Sequence, residues 1–171
     1  ESPWLLPARL CRAEINWERG QMESALRELE TIIAENPDVE AGWLFLIKAL
    51  LMADRRQEAI TRTEYVLDNL SLSPIARLSL AKTLNRHGLP SHALDVILPV
   101  PADSEVNASA NLLAASIYLR KELPTRAEMH VERILDEEPR HPLASFVAGQ
   151  IFLQRGRIDE LSLPSTTEAT C

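Results

Sequence analysis

Ala25, Ala59, Ala93 and Ala127 recur at one constant interval of roughly 34 residues. A fixed period of that length is too long for a single strand or hairpin turn and too short for a domain. It is the length of one supersecondary unit, so the chain is read first as an array of repeats. Two further series run in phase with the alanines. One holds Ala13, Ala81, Ala115 and Gly149, broken by Ile47, and the other holds Leu10, Leu44, Leu78, Leu112 and Phe146.

The three series divide the chain into repeats over about 6–39, 40–73, 74–107, 108–141 and 142–163. Each complete repeat reads as helix A, a short turn, helix B and a linker. Helix A is expected over 9–18, 41–52, 73–87, 106–120 and 143–154. Helix B is expected over 22–35, 56–69, 90–98 and 125–137, with a weak segment at 158–161 in the last repeat. Ala25, Leu29, Ile32 and Ile33 illustrate the spacing that puts apolar side chains on one helical face. Pro37, Pro74, Pro99, Pro101, Pro139 and Pro142 fall at the junctions of repeats, and no proline falls beyond the first turn of an expected helix. Pro90 and Pro124 open B helices, where the missing N–H costs nothing. Gly20, Gly88 and Gly156 share the place where helix A should stop.

This pattern resembles the tetratricopeptide repeat family over nearly the whole chain. The family has a large residue at repeat position 4, a small one at 8, a large apolar one at 11 and Ala at 20. Here position 8 is Ala13, Ile47, Ala81, Ala115 and Gly149. Position 11 is Asn16, Leu50, Leu84, Tyr118 and Phe152, and position 20 is alanine in all but the last repeat. Small residues at 8 and 20 let helices A and B approach closely. Position 4 departs from the pattern, with Arg9, Arg77, Asn111 and Ser145 beside the expected large Trp43. The resemblance implies an all-α, right-handed α-solenoid of about five antiparallel two-helix repeats. It would form a single superhelical domain over 1–163, followed by a polar, disordered tail at 164–171.

In the family the groove lies along the A helices, at positions 2, 5, 9, 12 and 13, and a partner segment binds there. Carried over by position, the groove residues would be Leu44, Lys48, Leu78, Lys82, Arg86, Leu112, Arg120 and Phe146. An apolar stripe beside four cations suits a peptide or helix with acidic flanks. The positions that form a carboxylate clamp in some relatives are here Leu10, Glu14, Phe45, Ile75 and Ser79, which lack the cationic donors a C-terminal carboxylate needs. The expected function is a non-catalytic scaffold or adaptor, with a bacterial envelope, secretion or polysaccharide-export assembly as its setting. The alternative is a regulatory or substrate-recruiting domain of a larger enzyme, which a chain without an initial Met would allow.

Composition narrows the other classes. A net charge of −7 argues against a nucleic-acid binder, which needs a basic stripe. No apolar run reaches the length of a membrane span. Cys11 and Cys171 stand at opposite ends, so no disulfide framework is expected. No metal or cofactor motif is present. His87 and His92 flank a turn, His130 and His141 have no evident companions, and Glu14 with Glu18 reads as a solvated face. Self-association through an apolar end of the array is allowed.

Overall fold

The computed structural model describes residues 5–162, excepting the side chains of 157–162. The described residues form nine helices and no strands: α1 (Leu5–Glu18), α2 (Met22–Glu35), α3 (Glu40–Met52), α4 (Arg56–Asn69), α5 (Pro74–Arg86), α6 (Pro90–Ile97), α7 (Asn107–Arg120), α8 (Pro124–Glu137) and α9 (Pro142–Ser162). Odd-numbered helices are the A helices and even-numbered ones the B helices. The expected tail at 164–171 lies outside the described residues.

Two compact units divide after Pro99. In the first, hairpins α1–α2, α3–α4 and α5–α6 stack so that α2 packs on α3 and α3 on α5. In the second, the α7–α8 hairpin packs on α9 through both of its helices. Each unit is the two-helix repeat arrangement that the period of the alanines demands.

The alanine series explains the close packing. Ala25, Ala59, Ala93 and Ala127 are all fully buried, as are Ala13, Ile47, Ala81 and Ala115. Around them Leu29, Ile32, Leu46, Leu80, Leu84, Ile97 and Ile117 are enclosed and form the cores.

The turn between A and B is one device used four times. The second residue after each of the first four A helices adopts a left-handed backbone: Gly20 (φ 77°), Asp54 (φ 59°), Gly88 (φ 76°) and Glu122 (φ 58°). Paired backbone bonds close each helix end. Gln21 N donates to Asn16 O and Gly20 N to Trp17 O, and the same pair recurs at Arg55 and Asp54, at Leu89 and Gly88, and at Leu123 and Glu122. This is the Schellman closure, which satisfies carbonyls at a helix C-terminus. Asp54 and Glu122 adopt it without glycine, against a cost of roughly 1 kcal/mol.

Position 4 carries a second recurring device. Arg9 Nε donates to Glu28 at 2.9 Å, Arg77 Nη1 donates to the Val96 carbonyl at 3.2 Å, and Asn111 Oδ1 lies 2.8 Å from His130 Nδ1. All three pairs have the same sequence separation, and each ties helix A to helix B of one repeat. In the second repeat Trp43 fills the place instead. Its ring is buried, its Nε1 donates to Pro37 O at 2.7 Å, and it leans on Tyr65. Three of the four departures from the family pattern are thus polar replacements for the packing of a large side chain, whereas the Ser145 hydroxyl donates to His141 O at the start of its own helix.

Two expectations fail. Helix α1 begins at Leu5 and takes Pro7 into its first turn, where a proline removes no intrahelical bond. Helix α9 does not stop at Gly156 and restart at Ile158; it runs unbroken to Ser162. The other four turns fold helix B back so that the alanine at position 20 and the residue at position 8 are both fully buried. The last repeat has Leu161 at position 20, so no small residue rewards the turn. A glycine inside a helix costs about 1 kcal/mol relative to alanine, too little to break it alone.

Candidate functional site

In the first unit the A helices α1, α3 and α5 line a hollow of about 360 Å³. Its walls are Leu10, Cys11 and Glu14 from α1, Ala41, Leu44, Phe45 and Lys48 from α3, and Ser79 with Thr83 from α5. Helix geometry brings these together. Leu44 and Lys48 lie one turn apart and so share one face of α3, as Ser79 and Thr83 share one face of α5. These faces lie away from the B helices, which cover the side marked by the buried Ile47 and Ala81.

The chemistry of the hollow is mixed. Leu10, Leu44 and Phe45 are partly accessible and supply an apolar floor. Lys48 is exposed and cationic at one wall, and Glu14 is exposed and acidic at another. Thr83 Oγ1 donates to Ser79 O at 3.0 Å, so its proton is committed to its own helix. Cys11 is an exposed free thiol on the rim. An elongated apolar segment with a charge at one end could lie here. A small hydrophilic substrate would find few convergent donors.

The expected groove residues distribute unevenly. Leu44 and Lys48 line the hollow. Leu78 is only 8% exposed and belongs to the core beneath. Lys82 and Arg86 are exposed on α5, one turn apart, outside the walls of the hollow. Leu112 on α7, half-buried, Arg120 at the end of α7, and Phe146 on α9, 65% exposed, belong to the second unit. Sequence reasoning does not assign Cys11, Phe45, Ser79 or Thr83 to the groove. The hollow is built from repeat positions 2, 5, 6, 9 and 10, whereas positions 12 and 13 do not contribute. The available signal is helical spacing, since positions 6 and 10 sit beside 2, 5 and 9 on one face.

Electrostatics outside the hollow is structural. Arg9 pairs with Glu28 and Glu35, and Arg12 joins Glu28 at 2.7 Å. The Arg9 hydrogen bond is the main reason that the Glu28 carboxyl is held below its ordinary value, with Arg12 adding to it. Arg55 does the same for Glu58. His130 is held below the ordinary histidine value, first by burial and then by Arg133. Asn111 Nδ2 donates to Asn107, which leaves its Oδ1 to accept from His130 Nδ1 and assigns the proton to that nitrogen. The imidazole also stacks on Tyr118, over whose ring Arg126 lies at 5.7 Å. Among the described residues there is no group of three or more His, Cys, Asp or Glu arranged to hold a metal ion. No described helix is long and apolar enough to cross a membrane.

Comparison with known proteins agrees with the fold. Residues 4–81 match the family described as bacterial transcriptional activator domain. Residues 103–160 match the tetratricopeptide repeat family. No curated protein matches the chain. Among solved structures the chain is similar to a crystal structure of MamA protein, with a TM-score of 0.63, 18% identity, and coverage of 91% of this chain and 85% of that one. At that identity the likeness speaks for the fold alone. The matched repeat sequence over 103–160 and the nine-helix architecture of the described residues together show a tetratricopeptide-like helical-repeat fold.

Proposed function

We propose that this protein is a non-catalytic interaction module that holds a peptide or helical segment of a partner protein against helices α1, α3 and α5. The observation that carries the reading is the hollow with an apolar floor of Leu10, Leu44 and Phe45 and an ammonium group at its wall. Lys48 and Lys82 occupy the same repeat position on α3 and α5, and Arg86 follows one turn later. A bound segment would bury apolar side chains on Leu44 and Phe45. Its acidic flank would meet Lys48 first and the α5 cations beyond it. Burial supplies most of the affinity and the charges supply orientation and rate.

A selection from a random peptide library tests this. The wild-type chain should enrich peptides with apolar anchors beside acidic residues. Leu44→Ser and Lys48→Glu, each checked for unchanged helicity, should weaken the enriched peptides by about tenfold or more. Enrichment that survives both substitutions would move the interface away from this hollow.

A second reading is favoured by the match of residues 4–81 to a bacterial transcriptional activator domain. On that reading the groove serves a regulator by protein contact and not by DNA contact, because the net charge of −7 opposes a phosphate backbone. An enzyme-linked or envelope-associated role would use the same groove within a different assembly. Binding to duplex DNA at low salt would contradict the protein-contact form of the reading.

A further inference from the structure

Helix α9 presents an apolar face that stands exposed among the described residues. Phe152 is 78% exposed, Leu153 68% and Phe146 65%. Large apolar side chains this accessible and this close together form a patch larger than scattered surface residues normally make. The residues fall on one side of the helix. Ala144 and Ile151 are buried on the opposite side, and Gln154 Nε2 donates to Leu119 O at 3.2 Å, anchoring that side to α7. With 3.6 residues to a turn, Ser145, Phe146, Gly149, Phe152, Leu153 and Gly156 share the open side.

That side corresponds to the surface that helix B covers elsewhere. Position 8 is fully buried in the first four repeats, at Ala13, Ile47, Ala81 and Ala115. In α9 it is Gly149, with no atom within 4 Å of where a Cβ would stand. Position 11 is buried as Leu50, Leu84 and Tyr118 but exposed as Phe152. Helix α9 is an A helix whose B helix has not folded back.

We infer that the open face of α9 pairs antiparallel with α9 of a second copy of this chain, each helix taking the place of the other's missing helix B. Three features select a second copy. Helices A and B of every hairpin run antiparallel, and a two-fold axis across α9 reproduces that relation. Residues 142–154 contain no charged side chain, so two copies of a chain with net charge −7 can meet there without opposing charges at the contact. The face is also complementary to itself. With the axis at Gly149, a rise of about 1.5 Å per residue sets Phe152 beside Ser145 of the second copy and Phe146 beside its Leu153. Large meets small on one flank and apolar meets apolar on the other, while the glycines allow close approach.

The size of the face sets the strength. Three large side chains, each about two-thirds or more exposed, offer roughly 450 Å² per copy. A stable dimer buries about 800 Å² per partner, so the pairing should be weak, with a dissociation constant on the order of 100 µM. The hollow of about 510 Å³ between α8 and α9, where Val131, Ile151 and Phe152 stand beside the charged Glu128, Glu132 and Arg155, lies at the edge of the face, so the apolar contact ends there.

Sedimentation equilibrium on the full chain, from low micromolar to near-millimolar concentration, tests the pairing. The wild type should pass from monomer to dimer. Phe152→Glu, at an exposed site that leaves the fold intact, should weaken association by at least about tenfold. Gly149→Cys, in a background with Cys11→Ser and Cys171→Ser, should form a disulfide-linked dimer on oxidation, because the axis sets this residue against its own copy. A wild type that remains monomeric throughout would overturn the proposal. So would a dimer indifferent to Phe152→Glu, or one that Gly149→Cys fails to cross-link.

Discussion

Hairpin α7–α8 and helix α9 start from the same repeat and end differently. Ala115 and Gly149 occupy one repeat position, yet Ala115 is fully buried and Gly149 stands in open space. The difference lies at position 20, where one repeat supplies Ala127 and the other Leu161. A small residue on helix A is therefore not enough to close a hairpin. All four closed hairpins carry a buried alanine at position 20, the second of them with Ile47 at position 8, whereas the open repeat has Leu161. Closure therefore tracks position 20 and not position 8.

The strongest way to break the comparison is to force a large side chain into the closed contact. Ala127→Trp should destabilise the second unit by roughly 3 kcal/mol, because a fully enclosed site cannot admit an indole without displacing α7. Gly149→Trp, read at low micromolar concentration, should leave thermal stability nearly unchanged. Equal losses in the two variants would mean that the α9 face is covered in the monomer.

Smaller changes should split in sign. Ala115→Gly removes a buried methyl and adds backbone freedom, costing about 1–2 kcal/mol. Gly149→Ala has open space for its methyl and should stabilise α9 by about 1 kcal/mol. Urea melts of the two variants check this, and shifts of the same sign would contradict it.

The turns sharpen the comparison further. Glu122 holds a left-handed backbone that glycine holds at Gly20 and Gly88. Glu122→Gly should raise stability by up to about 1 kcal/mol, seen as a rise of a few degrees in Tm. Gly156 lies within the continuous helix α9, so Gly156→Ala should also raise Tm, whereas Gly88→Ala should lower it.

The smallest expected effect is a pH dependence confined to the closed hairpin. His130 titrates below its ordinary 6.5 because burial and Arg133 disfavour its charged form. The unfolded chain therefore binds the proton first. Stability from this group is complete above about pH 6.5 and falls as pH drops from there through the folded value. In urea melts across that range, His130→Gln should flatten the slope. Glu28 acts lower on the scale: its carboxyl is depressed by Arg9, so its contribution is present above the ordinary 4.5 and fades as pH falls below it.

Much of this architecture is legible in the sequence. The alanine series locates all four closed hairpins, and Pro37, Pro74, Pro99 and Pro139 each lie within two residues of a hairpin end. Three features are not legible, each for a physical reason. Asp54 and Glu122 are poor markers of a left-handed turn, because only the paired helix-end bonds make that conformation worthwhile. Arg9, Arg77 and Asn111 read as lost packing positions, and their partners on helix B become apparent only once that helix is in place. Gly156 reads as a stop because two other glycines at that repeat position are stops. Of the candidate groove, Leu44 and Lys48 are readable from position alone. Phe45, Ser79 and Thr83 escape because the carried-over positions omit two that share the same helical face. Leu78 is enclosed by its neighbours although its repeat position matches Leu44.

The central functional claim is that the hollow between α1, α3 and α5 receives the partner segment. Cys11 stands in its wall as a built-in reporter. The most direct measurement is the alkylation rate of Cys11, in a Cys171→Ser background, with and without a saturating library-selected peptide. Occupation of the hollow predicts that the peptide slows the reaction by about tenfold or more and that Lys48→Glu restores the free rate at the same peptide concentration. An unchanged rate with the peptide fully bound would place the binding surface elsewhere and contradict the account.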